Sequence, residues 1–166
     1  MPYSKNMKKI FAISLLMALV SLKAWAYSEV SGFTGETWYD HRASDFADGS
    51  GSQYYPYIIN TAEQLALLAW KVNEEGNTFD GKYFRIDADI SLKGYVWVPI
   101  GIHSGDNERV FKGTLTSGIE DGYRTISDMT IKATGTGKTA YFGFFGDFMG
   151  TAEGLKLAKG TSKRVK

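Results

Sequence analysis

The stretch Gly51-Ser-Gln-Tyr-Tyr-Pro-Tyr-Ile-Ile-Asn-Thr-Ala-Glu-Gln-Leu-Ala-Leu-Leu-Ala-Trp-Lys-Val-Asn73, followed by Tyr83-Phe-Arg-Ile-Asp-Ala-Asp-Ile-Ser-Leu92, decides the fold. Pro56 pushes Tyr55 toward an extended backbone, so Tyr57-Ile58-Ile59 reads as a short strand. Thr61-x-x-Gln64 is a capping box that starts a helix. Leu65, Leu68, Ala69 and Val72 fall at i, i+3, i+4 and i+7 and form one apolar stripe. Gly76 and Asn77 tolerate the left-handed turn that ends a helix, which predicts a helix over 61–75. Beyond it the period becomes two. Phe84, Ile86, Ala88 and Ile90 alternate with Arg85, Asp87 and Asp89, as in a strand with one buried and one wet face.

Working outward, short strands are expected around Trp97–Ile100, Val110–Leu115, Thr125–Ile131, Tyr141–Phe145 and Leu155–Leu157. Gly, Asp and Asn separate them, and no second helical pattern intervenes. Ile126-x-x-Met129-x-Ile131 recurs as Ala152-x-x-Leu155-x-Leu157, 26 positions later (152 − 126). That period suits a stacked repeat. The expected fold is mainly β: a short right-handed parallel β-helix, or solenoid, with one N-terminal capping α-helix. The helix would cover the first coil, which otherwise exposes unpaired strand edges.

The N-terminus has the form of a secretory signal. Lys5, Lys8 and Lys9 precede an apolar run, Ile10–Leu22, and Ala24-Trp25-Ala26 is a small-residue exit with cleavage after Ala26. The expected organisation is signal peptide 1–26, extended lead-in 27–52, β-solenoid 53–157 and basic tail 158–166. Losing Lys5, Lys8, Lys9 and Lys23 takes the 19 basic residues to 15 against 18 acidic ones, a net of −3. A mildly acidic surface is a poor partner for phosphate backbones, so no nucleic acid is expected. The chain has no cysteine, which removes disulfides, thiol catalysis and lipoprotein acylation. No second hydrophobic span follows, so the mature chain is expected to be secreted, periplasmic or at the cell surface, without a stable membrane span.

Longer pieces carry a family resemblance. Trp97-Val-Pro-Ile-Gly101, Phe111-x-Gly113-Thr-Leu115, Arg124-Thr-Ile-Ser-Asp-Met-Thr-Ile131 and Gly143-Phe-Phe-Gly146 followed by Ala152-Glu-Gly-Leu-Lys-Leu157 resemble, in order, the modules of bacterial surface proteins carrying the GLUG motif. The entry segment is similar to the region that precedes the catalytic part of some immunoglobulin-A-specific metallopeptidases. Thr116–Tyr123 is longer than the turn usual at that place. The resemblance implies an exported, adhesin-like, non-catalytic module. Its partner would be a host or cell-surface protein or glycan. If the solenoid stops near Leu157 its last coil is open, and either self-association through that end or a continuation of the chain is expected.

Candidate chemistry is sparse. H-E-x-x-H is absent, and His41 and His103 are too far apart to build it. Asp87 and Asp89, at i and i+2 on a strand, would lie roughly 7 Å apart, within the inverting glycosidase range. The same spacing describes any solvated strand face, and a glycan-cleaving β-helix is the least favoured reading. Asp106-Asn107-Glu108, and Asp45 with Asp48, offer oxygens suited to a structural calcium but match no EF-hand. No other cofactor is expected. Gly135-Thr-Gly-Lys-Thr139 lacks the first glycine of a phosphate loop, since Lys132 stands there. Tyr54, Tyr55, Tyr95, Trp97 and Tyr123 are the candidate ligand-contact aromatics. Exposed in a row they would stack on sugars and make a carbohydrate-binding module, the alternative function. Buried, they would fill the core.

Overall fold

A computed structural model of the chain describes residues 35–102, 109–118, 120, 122–134, 143–158 and 161–165. The signal segment and its Ala26 exit lie outside them, as do His103, the Asp106–Glu108 turn and Gly135–Thr139. A 3₁₀ turn, Trp38–His41, leads to β1 (Tyr57–Ile59), helix α1 (Ala62–Asn73), β2 (Tyr83–Ile86), β3 (Ile90–Ser91), β4 (Thr114–Ser117) and β5 (Arg124–Ser127). β6 (Thr130–Thr134), β7 (Thr151–Glu153), β8 (Leu155–Leu157) and β9 (Thr161–Val165) complete the order. The protein is mainly β, with one α-helix among the described residues.

The strands form three sheets in the orders β1-β2-β4-β7, β3-β5-β8 and β6-β9. Every ladder between them is parallel. In the first sheet Tyr57, Phe84, Leu115 and Ala152 stand in one row, and Ile58, Arg85, Thr116 and Glu153 in the next. Side chains alternate across a strand, so Phe84 and Leu115 point into the core while Arg85, Thr116 and Glu153 point away from it. Parallel bridges Thr37↔Val96 and Val96↔Thr130 extend the third sheet's row toward the N-terminus.

Helix α1 follows the expected stripe. Leu65, Leu68 and Ala69 are fully buried and Val72 nearly so. Burying each leucine stabilises the fold by about 1.5–3 kcal/mol. Thr61 Oγ1 accepts from the Gln64 amide at 3.3 Å, and Gln64 Oε1 accepts from the Asn60 amide at 2.8 Å. The reciprocal bond thus reaches one residue further back than a standard capping box. Residues 38–43 pack on this helix. The Ala43 amide donates to Glu63 O, and the Arg42 guanidinium sits 4.2 Å from the centre of the Trp70 ring.

Several expectations need correction. Phe84–Ile90 is not one strand: it breaks at Asp87–Asp89 into β2 and β3, which belong to different sheets. Phe84, Ile86 and Ile90 are buried as the alternation expects, Ile90 being 3% exposed, but Ala88 at the corner is only half-buried. The segment before residue 53 is not merely extended, since it contains the 3₁₀ turn and pairs Thr37 with Val96. The 26-residue repeat is not the stacking register. Leu157 lies beside Ile126, and Ala152 beside Leu115. Corners of unequal length between sheets shift the match that the letters suggest. Trp97–Ile100 and the segment near Phe145 form isolated bridges rather than strands.

A chain of aromatic rings fills the interior. Tyr57 contacts Phe84 with centroids 5.2 Å apart, Phe84 contacts Phe111 at 5.8 Å, and Phe111 contacts Phe145 and Phe148 at 5.9 and 6.0 Å. Such pairs add about 0.5–1.5 kcal/mol beyond the area they bury.

Candidate functional site

The most outward-reaching side chains sit on a loop that the backbone holds tightly. Asp48 pairs antiparallel with Ile58: the Ala47 amide donates to Ile58 O and the Ile58 amide to Asp48 O, both at 2.9 Å. Within the loop the Ser50 amide donates to Tyr55 O at 3.0 Å, and the Tyr55 amide reaches Ser52 Oγ at 3.1 Å. The Tyr83 amide at the start of β2 donates to Gly51 O. Gly49 has φ +97°, and a Cβ there would overlap Pro56 O. Glycine is the residue that turn tolerates.

Two tyrosines and a carboxylate lie on this frame. Tyr54 is 95% exposed and Tyr55 51%. The Tyr55 hydroxyl donates to Asp48 Oδ1, which also accepts the Gly49 amide at 2.8 Å. These bonds favour the charged carboxylate, the tyrosine bond most, and hold Asp48 below the usual aspartate range. The same bond raises the Tyr55 hydroxyl. A hydroxyl and a carboxylate side by side can bond to hydroxyls or amides, and the exposed Tyr54 ring on the same loop can stack on a ring.

Tyr95 belongs to a second cluster. Its ring stacks on His41 with centroids 3.6 Å apart and meets Trp38 edge-on at 5.0 Å. His41 Nε2 lies 2.8 Å from Glu36 Oε1, and Trp38 Nε1 donates to Leu92 O at 3.1 Å. Tyr123 is 68% exposed and precedes β5. No ring contact among the described residues links Tyr54, Tyr55, Tyr95 and Tyr123 to one another, so they do not form one continuous stacking row.

Trp97 leaves the set. It is fully buried, donates Nε1–H to Phe144 O at 3.2 Å and stacks on Phe144 at 5.5 Å. The run Val96–Ile100 is buried throughout, so no face of the indole is left for a ligand. Its work is to bind two distant sequence pieces. The Ile100 amide donates to Phe144 O and the Gly146 amide to Ile100 O, which sews Trp97–Gly101 to Gly143–Gly146.

The carboxylates are engaged locally. Arg85 holds Asp87 with two bonds, at 2.7 and 2.8 Å. Asp89 Oδ1 accepts the Thr125 amide at 2.8 Å. They flank a corner rather than share a strand face, which corrects the inverting-pair geometry. Asp45 accepts its neighbour's amide, from Phe46. No three His, Asp or Glu side chains among the described residues gather as a metal site.

Sequence reasoning missed Asn73. This buried residue donates Nδ2–H to the Tyr39 hydroxyl and to Pro99 O at 2.8 Å. Its Oδ1 accepts the Gly101 and Ile102 amides at 2.9 and 3.1 Å. It fastens the end of α1 to the Trp97–Gly101 segment. An asparagine in the last turn, in line with an apolar stripe, was the available signal. Burial raises the Tyr39 hydroxyl well above its ordinary pKa, although the Asn73 bond opposes this.

No known family profile matches the chain, and no solved structure matches it. A protein of Evansella cellulosilytica that bears the name "Putative Gly-rich membrane protein" is 29% identical over 147 residues. The match takes in 85% of this chain, which spans 15% of that protein's length. Among the described residues no helix is long and apolar enough to cross a membrane.

Proposed function

We propose that the chain is an exported, non-catalytic β-solenoid module that presents the Asp48–Tyr57 loop for binding at the cell surface. The parallel rows of the three sheets support coils that rise one rung at a time. Parallel strands joined through a crossover favour the right-handed sense. α1 and the Asp48↔Ile58 bridge close the first rung. The GLUG-like pieces at Trp97–Gly101 and Gly143–Gly146 pack together, which suits a module that repeats in longer surface proteins. The relative's name refers to a membrane and that protein is far longer, in keeping with export of a larger assembly.

One observation carries the binding role: Tyr54 keeps 95% of its surface in water on a loop fixed by its own backbone. A tyrosine on a pre-ordered loop binds without the entropy cost of ordering that loop. The partner class is a host or cell-surface protein or glycan. The Asp48–Tyr55 pair on the same loop as the exposed Tyr54 ring favours glycans as the second reading, because carbohydrate sites combine a ring face with hydrogen-bonding groups. A glycan array and a surface-protein capture experiment test both readings with wild type and Tyr54→Ala. Binding lost in the variant, with unchanged thermal stability, supports the proposal. Equal binding by both proteins, or none in either assay, refutes it.

A further inference from the structure

The loop that presents Tyr54 is one-sided in charge. From Ala43 to Trp70 the chain has no Lys, Arg or His, and its acids there are Asp45, Asp48 and Glu63. Asp45 and Asp48 are both exposed. Asp48 uses one carboxylate oxygen: Oδ1 accepts the Tyr55 hydroxyl and the Gly49 amide, and Oδ2 has no donor among the described residues. The strand beside the loop does not neutralise it. Arg85, next to Ile58 in the β1–β2 ladder, is held by Asp87 with bonds of 2.7 and 2.8 Å. Lys82 precedes Tyr83, whose amide holds Gly51 O, but Asp80 stands in the same turn and cancels it in charge.

Both kinds of group on this loop favour a positive partner. The face of an aromatic ring is the negative end of its quadrupole and attracts cations, and Tyr54 is 95% exposed. The two carboxylates add a field of the same sign. The Tyr55 and Gly49 bonds keep Asp48 charged further into acid than an ordinary aspartate. A neutral sugar would use the ring and the hydrogen bonds but gain nothing from the field. A protein segment rich in arginine or lysine gains from all of it, because guanidinium stacks on aromatic faces and binds carboxylates in a fork. Several cations on one segment can also meet the ring and the carboxylate separately, so the two need not converge on one point.

We propose that the Tyr54 loop binds a basic segment of a partner protein, with one arginine or lysine on the Tyr54 ring and another at the Asp48 carboxylate. The inference rests on the reading of this loop as a binding element and names the chemistry of its partner. Exposed charges attract one another over about 10 Å at 0.1 M salt and over less at higher salt. The complex therefore forms fast in dilute salt and weakens as salt rises.

Titration calorimetry tests this with four probes: hexa-arginine, hexa-citrulline (similar in shape but uncharged), a glucosamine hexamer and an N-acetylglucosamine hexamer. Hexa-arginine is expected to bind wild type and to lose roughly tenfold in affinity between about 20 and 300 mM salt. Hexa-citrulline and the N-acetylated sugar are expected not to bind. Tyr54→Ala and Asp48→Asn should each weaken hexa-arginine roughly twofold to fivefold, with unchanged circular dichroism. Glu153→Gln, which removes an exposed acid on β7, should bind as wild type does. Equal binding by wild type, Tyr54→Ala and Asp48→Asn, equal binding of hexa-citrulline, or tighter binding of the glucosamine hexamer overturns the proposal. Tyr54-dependent binding of an uncharged glycan, with hexa-arginine unbound, also overturns it but leaves the loop's binding role standing. No Tyr54-dependent binding here, on the glycan array or in surface-protein capture removes both.

Discussion

Replacing Asn73 with alanine tests how the helix is fastened to the sheets. The side chain makes four buried hydrogen bonds, two donated to Tyr39 and Pro99 and two accepted from Gly101 and Ile102. Alanine leaves four groups behind. Tyr39 keeps a weaker option, its hydroxyl donating to Ala69 O at 3.4 Å. Pro99 O and the two amides have no comparable substitute among the described contacts. A buried group left unpaired costs about 1–3 kcal/mol, and neighbouring losses do not add fully. The expected destabilisation is about 3–5 kcal/mol. At about 2–4 °C per kcal/mol for a domain near this size, the melting temperature should fall by roughly 10–15 °C. Tyr39→Phe removes one partner and leaves Asn73 three bonds, so it should cost about 1 kcal/mol. Thermal unfolding followed by circular dichroism, with urea midpoints as a second measure, reads both. A fall under about 3 °C for Asn73→Ala, or a larger one for Tyr39→Phe, would refute the reasoning.

Three other outcomes are expected. Gly101→Ala should cost about 2–4 kcal/mol in urea unfolding, because φ is +81° and its Cβ would overlap Asp147 O and approach Arg109 O; an unchanged midpoint would contradict this. Trp97→Ala should cost about 3–5 kcal/mol, while Tyr54→Ala should stay within about 0.5 kcal/mol, and similar losses in the two would undo the assignment of Trp97 to the core. Asp48 is held below its unfolded pKa chiefly by the Tyr55 hydroxyl, so its contribution is present above the unfolded value and fades as pH falls through the folded one. Asp128, lowered by Ser91 and Ser127, titrates in the same sense, so the readout is the difference between wild type and Asp48→Asn. Melting temperature from pH 6 to pH 2 should fall more steeply in wild type, and parallel profiles would contradict the link.

The helix was legible in the sequence because its signals are local: a cap, a stripe and a glycine stop lie within sixteen residues, Thr61 to Gly76. The inward set Phe84, Ile86 and Ile90 was legible from alternation alone. The break at Asp87–Asp89 was not, because a corner that advances the chain to the next sheet can preserve period two. The stacking register was also hidden. It depends on corner lengths, and Ile126 finds Leu157 rather than Ala152. Trp97 misled because composition places tryptophan at ligand sites and in cores alike; the unbroken apolar run around it was the better guide. In the candidate site, Tyr54 and Tyr55 are exposed, and the Asp48–Tyr55 bond spans a folded loop that no spacing rule announces.

The central claim is the parallel stacking of rungs, and nuclear Overhauser contacts in the labelled protein test it most directly. The account predicts amide-to-α-proton contacts that connect Ile58 with Arg85, Arg85 with Thr116 and Thr116 with Glu153, with no strong α-proton pairs across those strands. Strong cross-strand α-proton pairs, the mark of antiparallel neighbours, or contacts joining Ile126 to Ala152 instead of Leu157, would contradict it.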